Sequence, residues 1–124
     1  MVSGVSGGLV VEIGPGKGAI TTPLVQKADT VIAIEKDEDL LSLLQEKFEF
    51  YKNFHLIHTD VLEFDLEVLK KYAPSYSVVA NIPYYITGAI IRYFLESSFQ
   101  PHDMYLLIQK EVAERIVSRD GKES

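Results

Sequence analysis

Apolar positions along the chain fall into five short, near-continuous runs, separated by stretches with helical spacing. Leu9 to Ile13 is the first run, rich in β-branched residues and ending in glycines, which predicts a buried strand. Ala19 to Ala28 predicts a helix, with Thr21, Thr22 and Pro23 tolerable in its first turn. Thr30 to Ile34 predicts a second strand, followed directly by Glu35. From Asp37 to Phe50, apolar residues at Leu40, Leu41, Leu44 and Phe48 keep helical spacing. His55 to His58 predicts a third strand, and Leu66 to Tyr72 a short helix closed before Pro74. Tyr76 to Ala80 predicts a fourth strand, ending in a corner at Asn81. Thr87 is a suitable cap for a helix running to about Ser97, with Ile90, Ile91, Phe94 and Leu95 inward. Met104 to Gln109 predicts a fifth strand, and Glu111 to Ser118 begins a helix ending near Gly121.

Strands alternating with helices predict an α/β fold, a parallel sheet with helices on both faces. Near-continuously apolar runs suit strands covered on both sides. In such sheets ligands sit at the carboxyl ends of the strands. The residues predicted there are Gly14, Glu35, Asp60, Asn81 and Gln109, four of them polar or charged where packing alone would not demand it.

Composition narrows this picture. At 124 residues, 47% hydrophobic and 24% charged, the chain fits one ordinary globular domain. It has no cysteine, which excludes disulfides and thiolate metal sites and is compatible with a cytoplasmic address. Its three histidines, His55, His58 and His102, lack metal-ligand spacing, so no metal is expected. No run of 18 apolar residues predicts a membrane span. Residues 1–8 read as a flexible leader without signal-peptide character. A net charge of −6 argues against strong electrostatic attraction to nucleic acid by this stretch alone. Lys70-Lys71 and Lys110 with Arg115 and Arg119 are local basic clusters whose simplest role is a solvated surface.

Candidate chemistry sits at the predicted strand ends. Gly14, Gly16 and Gly18 keep side chains out of the turn between the first strand and helix, so that a ligand can approach the backbone. Gly14-x-Gly16-x-x-Ala19 loosely fits the dinucleotide fingerprint. Glu12-Ile13-Gly14-Pro15-Gly16-Lys17-Gly18 with its leading acid also resembles the first motif of S-adenosylmethionine-dependent methyltransferases. Glu35, with its neighbour Lys36, stands where a carboxylate can accept from both ribose hydroxyls. Asp60 can accept from an adenine amine and Val61 can cover the ring, although for Asp60 taken alone a cap or turn role is the simpler reading. Asn81-Ile82-Pro83-Tyr84 joins an amide acceptor, a rigid proline and a ring on which a base can stack. Glu12 either contacts a cofactor ammonium or fixes the loop.

Taken together, these motifs resemble the ribosomal RNA adenine N6-dimethyltransferase family. The likeness runs from about Leu9 to the C-terminus and includes Gln109-Lys110-Glu111-Val112-Ala113-Glu114-Arg115 after the fifth strand. That segment is closer to the small-subunit enzymes than to the erythromycin-resistance methylases of large-subunit RNA. The resemblance implies a Rossmann-like methyltransferase core of seven strands, followed by a small helical domain. It implies S-adenosyl-L-methionine as cofactor, ribosomal RNA of the small subunit as partner, and two methyls on each of two adjacent adenines near its 3′ end. It assigns Asn81, Ile82, Pro83 and Tyr84 to the chemistry, and Glu12, Gly14, Gly16, Gly18, Glu35, Lys36, Asp60, Val61 and Asn81 to the cofactor.

The family pattern also has a cofactor-covering Gln-Asn-Phe-Leu-type element before the first strand, and two further strands, a base-clamping aromatic and the helical domain at its end. None is seen in this sequence, so residues 9–124 are expected to be the N-terminal part of the catalytic domain. Gly88 stands where a small hydroxyl residue is usual. A fifth strand left at the sheet edge invites self-association. Three readings stay open beside the small-subunit enzyme: a large-subunit methylase, a non-catalytic nucleic-acid-binding relative, and a nicotinamide-dependent oxidoreductase.

Overall fold

The computed structural model describes residues 7–108. Five strands, β1 (Leu9–Ile13), β2 (Thr30–Glu35), β3 (Phe54–His58), β4 (Tyr76–Ile82) and β5 (Asp103–Ile108), form one sheet. The order is β3-β2-β1-β4-β5, and every neighbouring pair is parallel. Three α-helices connect them: α1 (Thr21–Lys27), α2 (Leu41–Lys47) and α3 (Tyr84–Leu95). Short 3₁₀ segments cover Glu38–Leu40, Val61–Glu63 and Leu66–Lys71.

Two buried clusters lie against the sheet. Alternate residues of the central strands enter different clusters, because successive side chains of a strand point to opposite faces. Val11, Ile13, Ile32, Ile34, Val78 and Ile82 pack with Leu66 and Leu69 and with Ile90 and Phe94 of α3. Val10, Val31 and Val79 pack with Leu24 and Val25 of α1 and with Leu44 and Phe48 at α2. All five residues of β1 are buried. Each large aliphatic side chain so covered contributes about 1.5–3 kcal/mol of transfer free energy.

Several boundaries differ from the sequence expectation. β4 continues through Asn81 and Ile82, which pair with Leu107 and Ile108 of β5. Asn81 is therefore a ladder residue, and the corner falls at Pro83, which has no N–H to continue the ladder. α3 starts at Tyr84 rather than at Thr87. Pro83 occupies the cap position in an extended conformation, with no side-chain capping bond. Thr87 instead donates its hydroxyl to the Pro83 carbonyl within the first turn, at 3.3 Å. Leu95, expected inward, is half exposed, while Ile90 and Phe94 carry the buried stripe.

The segment from Asp37 begins as a 3₁₀ turn because the Asp37 carboxylate accepts from the Asp39 N–H. Regular helix then runs from Leu41 only to Lys47. The predicted helix after Asp65 is a 3₁₀ segment. Gly7 and Gly8, expected in the leader, are held by hydrogen bonds to Lys27 O and Asp29 Oδ2. β3 and β5 are the terminal strands of the described sheet. Gln109 and the helix expected from Glu111 lie outside the described residues.

Candidate active site

The strand order places a topological switch point between β1 and β4. From β1 the chain leads through α1 outward to β2, and from β4 through α3 outward to β5. The carboxyl ends of β1 and β4 thus diverge, opening a crevice where ligands bind in sheets of this kind. A cavity of about 800 Å³ lies there. Its walls include Gly14 after β1, Glu35, Lys36 and Asp37 at β2, and Asp60, Val61 and Leu62 after β3. Asn81, Ile82, Pro83 and Tyr85 close it from the β4 side.

The loop after β1 is shaped by close approaches. Gly14 has φ +70°, and a Cβ there would lie 2.7 Å from the Asn81 carbonyl oxygen. Only a residue without a side chain lets the end of β1 approach β4 this closely. Gly18 has φ +91°, and a Cβ there would press into the Phe48 ring at 2.7 Å. Gly18 thus meets a packing requirement that the sequence reading did not see. Gly16 is different, since open space surrounds the position its Cβ would take.

Glu35 ends β2 and is buried. Its Oε1 accepts from the Gly16 N–H at 3.2 Å and its Oε2 from the Asp37 N–H at 2.9 Å. One carboxylate therefore bridges the glycine loop and the turn after β2. Each oxygen keeps a further lone pair for a ligand hydroxyl. Asp60 caps the Val61–Glu63 turn by accepting from the Leu62 N–H at 3.0 Å. Its other oxygen lies 3.7 Å from Lys36 Nζ, an exposed pair worth little. Val61 is buried beside it.

Glu12 is 1% exposed and does not line the cavity. Its Oε1 accepts from the buried Thr21 hydroxyl at 2.5 Å, while Oε2 has no partner among the described residues. Burial, opposed by the Thr21 bond and helped by the charge of Glu35, pushes its carboxyl up to about 7. The sequence reading placed Thr21 in the first turn of the helix but gave it no part in the site; only its place at the start of α1, nine residues after a buried acid, marks it.

On the β4 side, no described residue takes a hydrogen bond from or gives one to the Asn81 side-chain amide. Tyr84 and Tyr85 are both exposed, and Tyr85, at 80%, is the one that lines the cavity. The structure thus gathers Gly14, Glu35, Lys36, Asp60, Val61, Asn81, Ile82 and Pro83 at one crevice. Gly16 borders it through Glu35, while Glu12, Gly18 and Tyr84 lie off its walls. Among the described residues no His, Asp or Glu cluster could hold a metal ion, and no helix is long and apolar enough to cross a membrane.

Ribosomal RNA small subunit methyltransferase A of Dehalococcoides mccartyi (strain CBDB1) is 47% identical over 112 residues, covering 90% of this chain and 38% of its own length. The chain thus spans about two fifths of the length of curated relatives such as this one. The solved 23S rRNA methyltransferase ErmE is similar at 30% identity and a TM-score of 0.67, over 90% of this chain and 43% of its own. A dimethyladenosine transferase from Plasmodium falciparum is similar at 28% identity and a TM-score of 0.67, over 88% of this chain and 38% of its own. These likenesses fit a Rossmann-like methyltransferase fold. The family model for ribosomal RNA adenine dimethylase matches residues 7–124, and the chain belongs to that family.

Proposed function

We propose that this chain carries the cofactor- and amine-binding core of an S-adenosylmethionine-dependent enzyme that dimethylates N6 of adjacent adenines near the 3′ end of small-subunit ribosomal RNA. The observation that carries the reading is the convergence of Gly14, Glu35, Asp60 and Asn81, from four different strand ends, on one crevice. The small-subunit target is supported by the identity of 47% to a small-subunit methyltransferase, against 30% to ErmE. A ribosomal substrate implies a cytoplasmic address.

The residues fit the cofactor. Glu12 lies off the cavity walls, so its oxygen without a partner among the described residues would reach a ligand cation through water. Glu35 would accept from the ribose hydroxyls with its remaining lone pairs, and Lys36 would flank it. Asp60 would accept from the adenine amine and Val61 would cover the ring. Gly14 and Gly16 would let the ligand meet the loop backbone, with Gly18 fixing the loop against Phe48. When bound, S-adenosylmethionine supplies an electrophilic methyl on a sulfonium.

Adenine N6 is a poor nucleophile because its lone pair is delocalised into the ring. The Asn81 side-chain oxygen and the Ile82 carbonyl would accept its two N–H bonds and favour a pyramidal nitrogen. Pro83 would hold the corner rigid, and Tyr84 would stack on the flipped base. Alignment in a water-poor crevice would supply most of the rate. No general base is needed, since the proton can leave after transfer. On the same reading the outer edge of β5 invites pairing with a second copy, and sedimentation showing only monomer would count against that.

The test is methyl transfer from radiolabelled S-adenosylmethionine to small ribosomal subunits, with calorimetric cofactor titration beside it. Asn81→Ala should abolish transfer while cofactor affinity falls far less. Equal loss of both would refute the role of Asn81. Titration with NAD in parallel separates this reading from an oxidoreductase, and a tight NAD complex would overturn it.

A further inference from the structure

The glycine loop is flanked by two buried acids, Glu12 beneath it on β1 and Glu35 beside it on β2. Neither has a basic partner within ion-pair distance among the described residues. Glu35 is satisfied by two backbone N–H groups. Glu12 is not: Thr21 takes one oxygen at 2.5 Å and the other is buried and bare. A bare buried carboxylate oxygen costs free energy unless something polar reaches it.

We propose that Thr21 is a positioning residue, whose hydroxyl pins one oxygen of Glu12 so that the other stays unpaired for a cationic group, of alkylammonium type, at the glycine loop. The inference rests on the cofactor reading above and adds to it the residue that sets the geometry and ionisation of the acid. Thr21 is fully buried at the start of α1. Its hydroxyl does not bond the main chain, whereas that of Thr22 donates to the loop carbonyl of Gly18 at 3.1 Å. The Thr21 donor is spent on Glu12, nine residues back across the loop.

The surroundings of Glu12 leave few other groups to set its charge. Its register neighbours are Ala33 on β2 and Val79 on β4, both apolar. The first turn of α1 carries no acid, and Lys47 at the end of α2 gives its ammonium to Lys17 O. Glu35 is the charged group that acts on Glu12, and it opposes ionisation. The Thr21 bond is the contribution that favours it. Removing the hydroxyl therefore disfavours the charged form, and a cation then has to restore the charge at a higher cost.

The experiment compares the 124-residue chain with Thr21→Val, Thr21→Ser and Glu12→Gln. S-adenosylmethionine affinity is titrated calorimetrically across pH, and unfolding of the ligand-free proteins is followed over the same range. Val keeps the shape without the donor, and Ser restores the donor. Thr21→Val should lose about tenfold in affinity at neutral pH, with its affinity–pH midpoint moved upward, and Thr21→Ser should recover most of both. Glu12→Gln should bind weakly with no such midpoint. A Val variant that only melts earlier, with an unmoved midpoint, would overturn the proposal. If the unaltered chain binds no S-adenosylmethionine, the cofactor reading falls and the ligand half of this proposal with it. The pH dependence of ligand-free unfolding still decides whether Thr21 governs Glu12, because Val and wild type must then differ in it.

Discussion

The three glycines of the loop should respond to the same substitution in three different ways. Gly16→Ala places a Cβ in open space and pays only for its φ of +59°, about 1–2 kcal/mol. Gly14→Ala adds a collision, since its Cβ would lie 2.7 Å from the Asn81 carbonyl, which is backbone and held in a ladder. Overpacking of this kind costs about 1–3 kcal/mol on top of the conformational term, for a total of roughly 2–5. Gly18→Ala meets the Phe48 ring at the same distance and should cost a similar amount. There the obstacle is a side chain, so Phe48→Leu should recover part of the loss. At about 4 °C per kcal/mol for a chain of this size, Gly16→Ala should lower Tm by about 4–8 °C and the other two by roughly twice that.

Thermal and urea unfolding of the three single variants, of Phe48→Leu and of the Gly18→Ala/Phe48→Leu pair measure all of this. The double-mutant cycle isolates the contact from the cavity that Phe48→Leu itself leaves. Cofactor titration adds a second axis. Gly16→Ala should lose more affinity than its small stability cost would suggest, because its open side is where a ligand can approach. Equal destabilisation at all three positions would refute the structural assignment. Strict additivity of Gly18→Ala and Phe48→Leu would refute the Gly18–Phe48 contact specifically.

Two further outcomes follow from the site. The Glu12 carboxyl, raised from 4.5 to about 7 by burial, keeps its proton in the folded state after the unfolded state has lost it. Stability is therefore greatest below pH 4.5 as far as this group is concerned, and falls as pH rises toward 7, by about 3 kcal/mol in total. Glu12→Gln should remove that slope, read as the difference between the two proteins in urea unfolding across pH; parallel curves would refute it. Tyr84→Ala should weaken capture of the target RNA by about 1–3 kcal/mol with cofactor affinity kept, as loss of a stacked base predicts. Tyr85→Ala, at the cavity wall, should act mainly on cofactor affinity. The reverse pattern in filter binding and calorimetry would exchange the two roles.

The central strands and the crevice were legible because parallel strands covered on both faces are near-continuously apolar. A polar residue at the end of such a run then stands out, as Glu35, Asp60 and Asn81 do. Contacts between distant segments were not legible. Nothing local ties Gly18 to Phe48, thirty positions away, or marks Thr21 as the partner of Glu12. The start of α3 was misplaced because Thr87 is a good cap by composition, whereas the chain turns at Pro83 without any side-chain cap.

The position of Asn81 inside β4 changes what makes the corner rigid. Proline alone fixes one dihedral angle and leaves the preceding residue free within the extended region. Asn81 is instead paired to Leu107 on one side, and on the other the residue before it, Ala80, is in register with Ile13 of β1. The Gly14 loop then abuts its carbonyl. Three neighbouring segments thus fix the backbone that carries the amide, and the bare glycine lets two of the strand ends meet. The acceptor side of the crevice and its glycine side are consequently one packed unit. A substitution that pushes Gly14 away from Asn81 should disturb amine capture as well as cofactor binding, although Gly14 touches no amine itself.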